Sequence, residues 1–99
     1  MYIRFLMEIE FDPTKNQQNL HKRGLPFSRV ADFDFETALI AEDLRVDYGE
    51  RRWIALGLIG QRAFVVAFTW RADRLRVISF RKANARESNR YEQARPRDD

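Results

Sequence analysis

Basic side chains and one carboxylate are spaced along the chain so that they could act together on a phosphodiester. A glutamate precedes two arginines at residues 50–52, and an arginine–lysine pair closes an apolar run at residues 81–82. Guanidinium groups bind phosphate oxygens bidentately and stabilise charge that develops on them, while a carboxylate can take the proton from a ribose 2′-hydroxyl. We therefore predict a site for phosphodiester cleavage with the catalytic residues Glu50, Arg52, Arg76, Arg81 and Lys82.

The distribution of charge also predicts an anionic partner. Residues 1–50 carry six Lys/Arg against ten Asp/Glu, a net of −4, whereas residues 51–99 carry twelve against five, a net of +7. A basic half of this kind favours nucleic acid as the partner, although a solvated arginine-rich surface is the alternative interpretation of charge alone. The residues predicted to bind RNA outside the catalytic group are Arg51, Arg62, Arg71, Arg74, Lys22 and Arg86.

Several other kinds of chemistry are excluded or disfavoured by composition. The chain has no cysteine, which excludes disulfides, thiolate zinc sites and cysteine nucleophiles. A single histidine and scattered carboxylates do not form a metal-ligand cluster, so no metal or other cofactor is expected. Ser79 lies in an apolar run without the surroundings of a serine nucleophile. Glu50 could equally form a surface ion pair with its arginine neighbours.

No apolar run approaches the roughly 18 residues of a membrane span, and the first residues are too short for a secretory signal. We expect a cytoplasmic chain with no membrane partner, folded as a single domain over residues 1–99. Residues 1–6 are predicted to be an N-terminal extension or an additional edge strand, and residues 95–99 a frayed tail.

The N-terminal half is predicted to contain a strand, two helices and a second short strand. Residues 7–11 alternate apolar and acidic side chains, and Asp12-Pro13 then begins a helix that ends at Gly24. Pro26 is predicted to begin a second helix, over PFSRVADFDF. A DNA-reading helix–turn–helix is disfavoured because Asp32 and Asp34 would face phosphate. Residues 37–40 form the expected short strand, followed by a charged loop.

The C-terminal half is predicted to be an antiparallel meander followed by a helix. The segments WIALGLI, AFVVAFTW and LRVISFRK are strands joined by tight turns, and an asparagine–glutamate capping pair begins a helix that runs to about Ala94. Side chains alternate along a strand, so Arg74 and Arg76 should lie on one side, and Arg81 on the side of Val77 and Ser79. The predicted class is α+β.

The order of several short motifs resembles the BrnT family, the small ribonuclease toxins of type II toxin–antitoxin systems. The motifs are F-D-P-T-K, Asn19, Lys22-Arg23-Gly24, E-R-R at Glu50, and R-V-I-S-F-R-K-A…E…R-Y-E from Arg76 to Glu92. The resemblance implies a RelE-like toxin fold, with two N-terminal helices and a C-terminal helix packed around a small antiparallel sheet. It also implies metal-independent RNA cleavage that stops translation.

The resemblance further implies an antitoxin of the BrnA type with a ribbon-helix-helix DNA-binding domain, so that the complex represses its own promoter DNA. One position departs from the family pattern, which reads K-H-G where this chain has Lys22-Arg23-Gly24. His21 lies two positions earlier, about 200° around a helix. Two hypotheses remain: an RNA-cleaving toxin, or a non-enzymatic or attenuated module that binds its antitoxin or nucleic acid in autoregulation.

Overall fold

In the computed structural model of the chain, residues 8–94 are described. The N-terminal extension predicted for residues 1–6 and the tail predicted for residues 95–99 lie outside them. The elements are, in chain order, β1 (Glu8–Phe11), α1 (Pro13–Arg23), a 3₁₀ helix (Phe27–Asp32), β2 (Leu39–Glu42), β3 (Trp53–Ile59), β4 (Arg62–Arg71), β5 (Arg74–Lys82) and α2 (Ala85–Ala94).

The strands form one five-stranded mixed sheet in the order β1-β5-β4-β3-β2. The antiparallel meander of β3, β4 and β5 is confirmed, and β2 pairs antiparallel with β3. β1, however, pairs parallel with β5, with Glu8 opposite Arg74 and Phe11 opposite Val77. The alternating residues of β1 predicted a strand but contained no information about its partner.

The predicted RelE-like layout is wrong, because only one α-helix precedes the meander and the sheet is mixed. The second predicted helix, PFSRVADFDF, is a 3₁₀ helix of six residues. The backbone is already extended at Phe33, and Phe33 and Phe35 both enter the core with the alternation of an extended chain. The carboxylate of Asp34 accepts hydrogen bonds from the next turn, which ends any helical path.

Helix α1 begins and ends as its sequence predicts. The Asp12 side chain accepts a hydrogen bond from the Thr14 backbone N–H at 2.9 Å, and Gly24 closes the helix in the left-handed conformation at φ 66°. None of its residues is buried, so side-chain hydrogen bonds hold it in place. Asn19 Nδ2 donates to the backbone oxygens of Leu25 and Phe80, each at 2.9 Å, and so ties the helix to β5.

The two faces of the sheet are covered unequally. One face, the core face, packs its phenylalanines and aliphatic residues beneath Phe27, Val30 and Phe33 of the 3₁₀ segment. The opposite face, which carries Ile54, Leu56 and Val65, receives helix α2 and is called the α2 face. None of the described helices has the length and apolarity that crossing a bilayer requires.

Helix α2 covers only one end of its face. The predicted capping pair is confirmed, with Glu87 N–H donating to Asn84 Oδ1 at 2.8 Å and Asn84 N–H donating to Glu87 Oε1 at 2.9 Å. Tyr91 is the only buried side chain of the described helix, and its hydroxyl lies 3.1 Å from Thr37 Oγ1. The half of the α2 face nearer the entrance of β3 is therefore left open.

Candidate active site

A β-bulge in β5 decides which side chains reach the open half of the α2 face. Ser79 pairs with Ala67, whereas Val77 pairs with the next residue of β4, Phe68, so that Ile78 is left over. An extra residue of this kind interrupts the alternation of side chains along the bulged strand. The side chains of β5 before and after Ile78 therefore alternate between the two faces of the sheet in opposite phase.

The bulge brings together arginines that simple alternation separates. Leu75, Val77 and Phe80 all lie in the core-face cluster, whereas Ser79 and Arg81 lie on the α2 face together with Arg76. The prediction that Arg81 shares a side with Val77 is therefore wrong, because it assumed a strand without an extra residue.

The open half of the α2 face contains a concavity of about 260 Å³, called the arginine cavity. Its floor is aliphatic and its rim carries three guanidinium groups, with one carboxylate and one hydroxyl. The floor residues are Ile54, Leu56, Val65 and Ala67, and the rim residues are Arg45, Arg81, Arg90, Glu87 and Ser79. Such a combination suits a ligand with an apolar ring and an anionic group.

Arg81 is held on the rim by a bidentate pair with Glu87. The two Nη atoms of Arg81 lie 2.8 and 2.9 Å from the two carboxylate oxygens of Glu87. These bonds, with the α2 cap, lower the pKa of Glu87 to about 2, and the same pair raises the pKa of Arg81. Glu87 therefore stays ionised near neutral pH and is a poor proton acceptor.

Arg45 is fixed from the opposite side by a buried carboxylate. Asp43, whose side chain is 4% exposed, accepts bonds from Arg45 Nε and Nη2, each at 2.8 Å, and from the Tyr48 hydroxyl at 2.9 Å. The Arg45 bonds hold the pKa of Asp43 well below its usual range and raise that of Arg45. Sequence analysis treated this segment only as a charged loop; the Asp-x-Arg spacing was the available signal.

Glu50 and Arg52 follow the same loop, and Glu50 lines a hollow of that loop together with Arg45, outside the lining of the arginine cavity. Arg52 Nε donates to Glu50 Oε2 at 3.0 Å, and the Arg52 guanidinium lies 4.3 Å from the centre of the Tyr48 ring. Because residues two apart on an extended chain share a face of the sheet, Arg52 lies on the α2 face, as Ile54 does. Arg76 lies on this face too, and its Nη1 is 3.8 Å from Oε1 of Glu10 in β1. Of the predicted site residues, the structure thus gathers Glu50, Arg52, Arg76 and Arg81 on one side of the sheet.

The other predicted site residues lie elsewhere in the described chain. Lys82 follows Arg81 and points to the opposite face, and Arg51 stacks over Trp53 at 5.1 Å while binding Glu42. The remaining predicted RNA-binding residues are spread over the molecule: Arg62 lies beside α2, Arg86 on the exposed side of α2, and Arg71 and Arg74 at the β4–β5 turn.

Lys22 lines a second, smaller concavity of about 220 Å³ between α1 and β5. Arg23 lines it as well, and Ser79 borders both this concavity and the arginine cavity. His21 is exposed and lies outside both linings. Within residues 8–94, no group of three or more His, Asp or Glu side chains is arranged to hold a metal ion.

The sequence was also compared with known protein families. The profile of a family described as the ribonuclease toxin BrnT of type II toxin–antitoxin systems matches residues 11–87. The chain belongs to the BrnT family. The match extends from the end of β1 into α2 and includes all of the arginine cavity except Arg90. No curated protein sequence matches the chain significantly.

Membership in the BrnT family supports ribonuclease activity at the family level and implies an RNA target and an antitoxin partner. The arginine cavity is the part of this BrnT chain whose charge and shape agree with such a target. Arg45 and Arg90 are the rim arginines that were not among the residues predicted from the sequence.

Proposed function

We propose that this BrnT chain is a metal-independent endoribonuclease that cleaves RNA in the arginine cavity and so inhibits translation. The observation that carries the proposal is the convergence of Arg45, Arg81 and Arg90 on one aliphatic concavity that α2 leaves uncovered. Three cations around a small hollow, two of them held by carboxylates, suit a phosphate and an unpaired nucleotide better than they suit the rigid rod of a duplex.

Cleavage proceeds by transfer within the RNA. The 2′-hydroxyl oxygen attacks the adjacent phosphorus, the bond from phosphorus to the 5′-oxygen breaks, and the products are a 2′,3′-cyclic phosphate and a 5′-hydroxyl that takes a proton from water. Arg45 and Arg81 neutralise the charge that grows on the phosphate oxygens during this step. One such preorganised donor contributes about 10²–10³ to the rate in enzymes where it has been removed.

Glu50 is the carboxylate that we assign as acceptor of the 2′-hydroxyl proton. The carboxylate within the cavity, Glu87, has both oxygens bound to Arg81 and a pKa lowered to about 2. Glu50 has one oxygen bound to Arg52, and its other oxygen has no hydrogen bond to any residue in the described range. Arg52 thus orients Glu50 without occupying the whole carboxylate, and Glu50 shares a hollow of the loop with Arg45, a rim residue of the cavity.

The RNA continues beyond the cavity across the β5 bulge. Ser79 lies between the arginine cavity and the second concavity, where Lys22 and Arg23 are placed to bind the next phosphate. Arg23 stands where the family pattern has histidine, so it supplies charge but no proton transfer near neutral pH. The other cations contribute general attraction for RNA: Arg51, Arg62, Arg71, Arg74, Arg76, Lys82 and Arg86.

The antitoxin in this proposal is of the BrnA type, with a ribbon-helix-helix domain through which the complex binds its promoter DNA. It blocks RNA access by covering the arginine cavity and the polar outer side of α2. The family's type II classification and the exposed rim of the cavity support this arrangement. An RNA target and an antitoxin partner support the cytoplasm as the location in this proposal.

The deciding experiment compares substitutions of two cavity arginines with the same substitution of an arginine outside the cavity, so that each variant loses one positive charge. Arg81→Ala and Arg45→Ala should each lower the rate of RNA cleavage in excess chelator by about 10²–10³, whereas Arg62→Ala should change it less than about twofold. Arg45 has a side chain that is 71% exposed, so its loss leaves the core intact. Equal cleavage by folded Arg45→Ala and Arg62→Ala variants would remove the cavity from the reaction.

The alternative function is a non-enzymatic or attenuated module that binds RNA and its antitoxin. Arg23 in place of the family histidine and the engagement of Arg81 by Glu87 favour it. Labelled RNA incubated with the wild-type chain separates the two functions. Persistent binding with intact RNA, lost in Arg45→Ala, would support the module; shortened RNA with a cyclic phosphate end would support the enzyme.

A further inference from the structure

The edge of the sheet formed by β2, together with Leu44 and Val46 of the following loop, is called the β2 edge. It lies at the end of the strand order, so one side of β2 pairs with β3 and the other has no strand from residues 8–94 beside it. Of the five large apolar side chains exposed among residues 8–94, three belong to this edge: Ile40 at 40%, Leu44 at 80% and Val46 at 58%. The arginine cavity uses none of them.

The backbone of β2 presents hydrogen-bonding groups outward. The Asp43 N–H donates to the Arg52 oxygen at 2.7 Å, which marks Asp43 as a residue whose backbone turns toward β3. Because the bonds of an antiparallel ladder alternate, the N–H and C=O groups of Ile40 and Glu42 turn away from β3. An extended segment laid beside β2 would therefore find two complete pairs of partners.

The charge around the β2 edge determines which segment can bind there. Residues 32–50 carry seven carboxylates against a single basic residue. Three of these carboxylates are paired with arginines, but Asp34, Glu36 and Asp47 make no ion pair with any described residue. Asp34 and Glu36 precede β2 in the sequence and Asp47 follows it, so the exposed apolar side chains of the β2 edge are flanked by carboxylates.

The negative charge around the β2 edge makes two kinds of binding partner unfavourable there. A second copy of the chain would bring two acidic edges together, and like charges placed opposite each other across strands are destabilising. RNA would meet the same carboxylates with its own phosphates. A polypeptide segment with alternating basic and apolar side chains satisfies the backbone groups, the apolar side chains and the carboxylates together.

We propose that the β2 edge binds an extended basic and apolar segment of the antitoxin, which pairs with Ile40 and Glu42 as a sixth strand of the sheet. Leu44 and Val46 pack against the apolar side chains of this segment. The family supplies the antitoxin as a protein partner. The contact does not depend on RNA cleavage, since it involves none of the residues of the arginine cavity.

The test uses the complex of the chain with its antitoxin. In the free chain the amides of Ile40 and Glu42 should exchange quickly with solvent, and in the complex they should be protected. Ile40→Pro removes an outward N–H while leaving the ladder to β3, and should weaken the complex at least about tenfold. Leu44→Ser with Val46→Ser should weaken it comparably without touching the sheet backbone.

Leu20→Ser is the matched control, because Leu20 is also 40% exposed but lies on α1. It should leave antitoxin affinity unchanged, and all of these variants should retain wild-type RNA cleavage. Unchanged affinity in the loop double variant together with unprotected Ile40 and Glu42 amides would overturn the proposal. So would a dimer of the free chain that the loop double variant dissolves, or RNA binding that the same variant abolishes.

Discussion

The arginine cavity and the β2 edge share the loop at residues 43–50, since Arg45 belongs to the cavity and Leu44 and Val46 to the edge, and they differ in charge and in construction. The cavity has a floor from two central strands, β3 and β4, and a rim on which two of the three arginines are held by carboxylates, in the pairs Arg81–Glu87 and Arg45–Asp43. The β2 edge is a four-residue strand and a loop with exposed apolar side chains among carboxylates. One small sheet can thus offer RNA a basic hollow and a protein an acidic, apolar border.

The difference also suggests how the two regions communicate. Arg45 lies in the sequence between Leu44 and Val46, so the residue that enters the cavity is flanked by the two that form the β2 edge. A segment that packs on Leu44 and Val46 contacts the loop on which Arg45 stands. Antitoxin binding at the edge would thereby affect the cavity without entering it.

Asp43→Asn should affect both regions at once, because Asp43 anchors the loop that they share. An amide cannot accept both guanidinium bonds and the Tyr48 hydroxyl as an ionised carboxylate does, so Arg45 loses its fixed position. We expect kcat for RNA cleavage to fall about tenfold, antitoxin affinity to weaken, and the midpoint of urea denaturation to fall. Single-turnover cleavage and urea titration measure these changes.

Asp47→Asn is the control for this loop, since Asp47 is exposed and its carboxylate accepts a bond from the Gly49 N–H alone. It should leave the rate of RNA cleavage and the midpoint of urea denaturation unchanged. If Asp43→Asn weakened antitoxin binding while cleavage stayed at the wild-type rate, the cavity and the edge would be independent. The proposed communication through Arg45 would then be wrong.

The salt dependence of RNA affinity should distinguish the arginine cavity from the β2 edge, with a smaller effect than that of Asp43→Asn. Each phosphate contact made to single-stranded RNA contributes about −0.7 to the slope of log affinity against log salt. Arg45→Ala should therefore make the slope shallower by about 0.7, whereas Leu44→Ser with Val46→Ser should leave it unchanged. Fluorescence anisotropy with 2′-O-methyl RNA, which cannot be cleaved, gives the slopes; equal slopes in all three proteins would contradict the assignment of Arg45 to phosphate.

The sequence predicted the elements of this fold better than their arrangement. Local chemistry determined α1 through Asp12 and Gly24, and α2 through Asn84 and Glu87, and each of these ends was confirmed. The parallel pairing of β1 with β5 could not be predicted, because it joins residues more than sixty positions apart with no local signal. The second helix was wrong for a related reason: tertiary burial of Phe33 and Phe35 overrides a helical spacing.

The candidate site was predictable in residue type but not in geometry. Arg81 was selected from its position at the end of an apolar run, and it does line the cavity. The bulge at Ile78 could not be read from an unbroken strand pattern, so the prediction that Arg81 shares a face with Val77 was wrong. Arg45 was missed because its role depends on a buried aspartate two residues before it, and burial of Asp43 follows only from the tertiary structure.

The smallest expected effect concerns the ion pairs of the two regions and their dependence on pH. Glu87→Gln should lower the free energy of unfolding by about 1 kcal/mol at neutral pH, after allowance for solvent screening of the pair. The pKa of Glu87 is lowered from 4.5 to about 2 in the folded chain, so its contribution is complete above pH 4.5 and is lost as the pH falls toward 2. The difference between wild type and Glu87→Gln should therefore shrink over that range in urea titrations.

Glu42→Gln, at the β2 edge, removes a pair whose Arg51 side chain is 72% exposed and should have a much smaller effect at every pH. A Glu42→Gln loss equal to that of Glu87→Gln would show that the arginines of the cavity are held no more firmly than those of the edge.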